Sequence, residues 1–106
     1  MTDQVHWAPR TKNEVGETFM RLRMDVVDAL SHESLEDLYR VAAQLVAATR
    51  SGDWSRRYGE GVEEVRALAE REFARTARAL NERARALGTK ADFEERWSEA
   101  AARSRA

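Results

Sequence analysis

Between Gly61 and Gly88 the chain runs from Val62 to Leu87 without a Gly or Pro. A helix over this stretch spans about 39 Å at 1.5 Å per residue. In a chain of 106 residues, one such rod sets the architecture. Its inner positions read Val62, Val65, Ala69, Phe73, Thr76, Leu80 and Leu87, with Ala77 and Ala84 beside them. As far as Leu80 the steps are threes and fours, the spacing of a helical seam. Ala and Thr dilute that seam, so packing against the chain's own shorter helices is as reasonable as a long dimer contact.

Three further helices are predicted, over residues 12–30, 32–50 and 90–102, with the long one over 60–87. Residues 1–10 read as an irregular segment and 11–106 as one helical domain. Thr11 with Glu14 and Thr89 with Asp92 fit capping boxes, where hydroxyl and carboxylate satisfy each other's orphan N–H groups. Ser31 fits an N-cap, with Ser34 and Asp37 as a competing one and Leu30 placed to staple against Leu35. Asp53 is a possible earlier cap for the third helix. The fold class is all-α, a four-helix bundle. Ala is abundant, at eighteen residues, and Ile is absent. A small chain with so few large aliphatics buries little apolar area, which predicts completion of the core by oligomerisation.

On the first helix Val15, Phe19, Leu22, Val26 and Ala29 share one face. Met20, Met24 and Val27 form a second apolar strip nearly opposite, and Glu17, Arg21, Asp25 and Asp28 fill the wedge between. A helix apolar on two sides tends to be sandwiched. The strip therefore reads either as a partner-binding surface, suited to adaptable Met side chains, or as core packed against the fourth helix.

Trp54-Ser55-Arg56-Arg57-Tyr58 combines residue types enriched at binding hot spots. Trp54 and Tyr58 are candidate partner contacts; the alternative is that they plug the end of the bundle. Arg71, Arg75, Arg78 and Arg85 line up on the outer face of the long helix. With Arg56 and Arg57 they are the candidate nucleic-acid contacts, since a guanidinium row can track phosphates. A solvated face with ion pairs is the other reading: Glu82 lies four residues after Arg78, and Glu64 carries the wrong sign. The net charge of −1 gives no global pull toward nucleic acid. Sixteen Arg against two Lys is also the usage of a GC-rich bacterial genome.

No cofactor, metal or catalytic constellation is visible. Cys is absent, which excludes disulfides and thiolate chemistry. Neither His6 nor His32 stands three residues after an acid within a helix, the spacing that di-iron bundles use. Gly59-Glu60-Gly61 lacks the strand and Lys of a phosphate loop. No apolar run reaches the ~20 residues of a membrane span, and no secretory leader is apparent, so the expected location is the cytoplasm. The sequence favours a small non-enzymatic adaptor or structural subunit that self-associates or binds other proteins. A nucleic-acid-associated accessory role comes second.

Overall fold

The structure is a computed structural model that describes residues 11–52, Trp54, Arg56 and 59–105. The segment 1–10, Asp53, Arg57 and Tyr58 lie outside the described residues, and with them the readings of an irregular N-terminus and an Asp53 cap. The described chain is all-helical: α1 (Lys12–Asp28), α2 (His32–Thr49), a 3-10 turn (Gly59–Gly61), α3 (Val62–Leu87) and α4 (Phe93–Arg105). Among the described residues no helix is long and apolar enough to cross a membrane.

Local chemistry fixes most boundaries. Thr11 forms the full capping box with Glu14 at the head of α1. The Ser31 hydroxyl accepts from the Ser34 N–H at 3.1 Å, so Ser31 caps α2 and the competing cap at Ser34 is not used. Leu30 does not staple: it is 82% exposed. Gly88 ends α3 at φ 75°, a conformation Gly adopts at little cost, and the Thr89 N–H reaches back to the Ala84 carbonyl at 2.8 Å.

The capping box expected at Thr89 and Asp92 does not form, and α4 begins at Phe93 rather than near residue 90. The Thr89 hydroxyl turns to the Ala84 carbonyl instead, at 3.4 Å. Asn81, buried on α3, supplies the missing acceptor. Its Oδ1 accepts from the Phe93 N–H at 2.8 Å, and its Nδ2 donates to Glu94 Oε1 at 2.9 Å. A distant side chain thus does the work assigned to a local one.

The long helix α3 is the common support, packing against α1, α2 and α4, while α1 and α2 also touch each other. Contacts give the directions. Lys12 meets Glu64 and Arg83 meets the end of α1, so α1 runs parallel to α3. Arg66 meets the end of α2 and His32 meets Thr89, so α2 runs antiparallel. Asn81 meets the start of α4 and Phe73 meets Trp97, so α4 is antiparallel as well.

Phe19, Phe73, Phe93, Leu35, Leu45 and Leu80 are the largest fully buried side chains. The inner line of α3 from Val62 to Ala84 is closed by the chain's own helices. Its polar members are satisfied: Thr76 Oγ1 donates to the Glu72 carbonyl at 2.8 Å. Apolar Ala69, Ala77 and Ala84, all fully buried, provide the short side chains that bring helix axes close.

The expectation that α1 is sandwiched fails. Side chains of α4 meet α3 and α2, through Phe73–Trp97 and Tyr39–Phe93, while Met20, Met24 and Val27 stay exposed. They are not core packed against α4. The reason is the inner line of α3, which is wide enough to seat the aromatic residues of α4 on the side shared with α2.

Candidate protein-interaction face

Met20, Met24 and Val27 are 56%, 63% and 67% exposed, and Leu30 just past the helix is 82% exposed. At 3.6 residues per turn the three helical members fall within about 60° of one another. The strip is therefore narrow and continuous, and Leu30 prolongs it past the C-cap Ala29. Glu17, Arg21, Asp25 and Asp28 are exposed along one flank. On the other flank Arg23 turns toward α3, with Nη1 2.8 Å from Glu72 Oε1. Exposed apolar residues scattered singly are ordinary; a row of them along one helix is not.

Trp54 sits in the core at 7% exposure, so its indole is no surface contact and it leaves the candidate set. Trp54 belongs to the buried hydrophobic cluster. Arg56 is exposed. Its companions Tyr58 and Arg57 lie outside the described residues.

The four outer arginines of α3, Arg71, Arg75, Arg78 and Arg85, are all exposed. Acids accompany two of them. Arg75 Nη1 lies 3.5 Å from Glu72 Oε2, and Arg78 Nε lies 3.9 Å from Glu94 Oε2. The row is therefore partly neutralised along its length, which weakens its field toward a phosphate backbone.

Other arginines of α3 face inward, and the sequence reading missed them. Arg83 Nε donates to the Ala29 carbonyl at 2.9 Å, and Arg66 Nε donates to the Thr49 carbonyl at 2.9 Å. Each places a cation on the C-terminal carbonyls of another helix, where the helix dipole is negative. A signal was present: neither α1 nor α2 has a basic residue in its own last turn.

A second missed constellation joins α2 to α4. Arg96 makes a two-pronged contact with Glu36 at 2.7 and 2.9 Å, and its guanidinium lies over the Tyr39 ring at 4.5 Å. The hydrogen bonds from Arg96 hold the Glu36 carboxyl below its ordinary range, against the opposing effect of burial, while the charges of Arg96 and His32 add to the lowering. Burial raises the Tyr39 phenol above its usual value. His32 completes the cluster, with Nε2 3.1 Å from Glu36 Oε2 and Nδ1 3.3 Å from Thr89 Oγ1. Asp92 Oδ1 is buried and accepts no hydrogen bond; Arg96 Nη1 stands 3.6 Å away, near enough for charge attraction only. The arrangement is a clamp that latches two helices.

Among the described residues no group of three or more His, Asp or Glu side chains is placed to hold a metal ion. The chain matches no family model, no curated protein and no solved structure.

Proposed function

We infer that this chain is a small non-enzymatic helical subunit, a four-helix bundle that binds protein through the outer face of α1. One observation carries the reading: Met20, Met24, Val27 and Leu30 form a continuous exposed apolar row on a helix whose opposite face already fills the core. Apolar surface of this kind gains free energy when covered, at ~25 cal/mol per Å². Met suits a surface that must adapt to its occupant. The location that fits is the cytoplasm.

The test is affinity capture from the native host with wild-type protein and Met24→Asp. A defined partner, or a second copy of the chain, held by the wild type and lost in the variant supports the reading. Binding that survives both Met24→Asp and Met20→Asp would falsify it.

A nucleic-acid-associated role is the second reading, favoured by the exposure of Arg71, Arg75, Arg78 and Arg85. Gel shifts over a salt series test it. Equal binding by wild type and an Arg71/Arg75/Arg78 triple Ala variant removes it.

A further inference from the structure

We propose that the occupant of the α1 face is a second copy of this chain, paired with its own α1 antiparallel across a two-fold axis. The proposal rests on the reading of that face as a protein-binding surface. The argument is one of charge complementarity and spacing. Met20, Met24, Val27 and Leu30 are separated by four, three and three residues, a row that reads almost the same in either direction. Laid antiparallel, Met20 of one copy falls opposite Leu30 of the other, and Met24 opposite Val27.

Arg21 and Asp28 lie on the same rim of the row, two helical turns apart, and both are exposed. In this register each Arg21 stands beside the other copy's Asp28, so the two-fold axis makes two opposite-charge pairs. A parallel pairing would put the two Arg21–Asp28 rims on opposite sides of the contact, where neither opposite-charge pair can form. Asp25, which would face its own copy, lies well round the helix from the row and stays in solvent. An isologous contact of this kind is the commonest route to a homodimer. Four apolar side chains per copy make a contact at the small end of the ~1,200–2,000 Å² of standard interfaces. A contact of this size is a weak, reversible one.

Sedimentation equilibrium across micromolar concentrations tests the charge register. Arg21→Asp alone and Asp28→Arg alone each weaken self-association by about tenfold, since each turns two attractive pairs into repulsive ones. The double variant Arg21→Asp/Asp28→Arg restores it. Restoration supports the proposal; a double variant as weak as the singles overturns it.

Cross-linking tests the direction, and the chain has no Cys of its own to interfere. A mixture of Met20→Cys and Leu30→Cys chains forms a disulfide-linked dimer, whereas Met20→Cys alone does not. Two copies of position 20 would stand about 15 Å apart along the axis, beyond disulfide reach. Efficient self-linking of Met20→Cys overturns the antiparallel arrangement. A wild type that stays monomeric at every concentration overturns the second copy as occupant. In that case heterologous capture lost in Met24→Asp leaves the protein-binding reading standing, so the two failures are distinguishable. All these sites are exposed, and unchanged helical circular dichroism verifies that each variant folds.

Discussion

The two apolar lines of α1 are built from similar side chains and come to opposite ends. Val15, Phe19, Leu22, Val26 and Ala29 are buried against α3 and α2, while Met20, Met24, Val27 and Leu30 face solvent. Hydrophobicity does not separate the two lines; what separates them is which side of α1 has a neighbour. The inner line contains the one aromatic of the helix and β-branched Val, whose stiff side chains suit a fixed core. The outer line contains two Met, whose flexible side chains suit an exchangeable contact.

The largest expected effect breaks the inner line. Phe19→Ala removes a fully buried ring and should cost ~3–5 kcal/mol in chemical denaturation. A cost below 1 kcal/mol, by the scale of surface substitutions, would show that the inner line is not core.

Next is the pair that holds the rim of α1 to α3. Arg23→Ala leaves the largely buried Glu72 with only the exposed Arg75, 3.5 Å away, as its cation and should cost ~1.5–3 kcal/mol. A denaturation midpoint equal to wild type refutes the pair's contribution.

Arg83→Met tests how α1 is terminated. It removes the hydrogen bond to the Ala29 carbonyl and should cost ~0.5–1.5 kcal/mol. The same change at Arg85, an exposed neighbour on α3, should be neutral.

Smaller again is the pH effect at the α2–α4 clamp, where both partners are about one-third exposed and solvent screens them. Because the folded-state carboxyl of Glu36 titrates below its ordinary value of 4.5, its contribution is present above that pH. It is lost as pH falls through the lower, folded value. Glu36→Gln should flatten the acid limb of a stability–pH profile; an unchanged limb counts against the clamp.

The smallest effect belongs to the outer line. Met24→Ser should alter the stability of the monomer by less than ~0.5 kcal/mol while weakening association. A large loss of monomer stability would mean that the outer line is folded inward.

The helices and inner faces were legible because their signals are periodic and local. The five inner positions of α1 and the seam of α3 down to Leu80 follow from spacing alone. Caps at Thr11, Ser31 and Gly88 follow from residue type. What was not legible depends on tertiary neighbours. Nothing near Asn81 in sequence announces that it will cap a helix twelve residues on. The choice between sandwiched and exposed for Met20, Met24 and Val27 depended on where α4 lands, which the periodicity of α1 does not encode. Arg66 and Arg83 look like their exposed counterparts in composition; only their positions on the wheel, beside the inner seam, distinguish them.

Arg66 and Arg83 also bear on how this protein opens. A helix end ordinarily frays alone, because its last carbonyls answer only to water. Here the last carbonyls of α1 and α2 are held by side chains rooted near the two ends of a third helix, Arg83 towards its end and Arg66 towards its start. Loosening either end means breaking a contact that belongs to α3. Backbone amides near Val26 and Ala29, and those near Thr49, should then exchange with solvent in step with the amides of α3 rather than as independent termini. A protein wired in this way has few cheap partial openings, and a proteolytic cut or substitution in α3 is felt at the ends of two other helices at once.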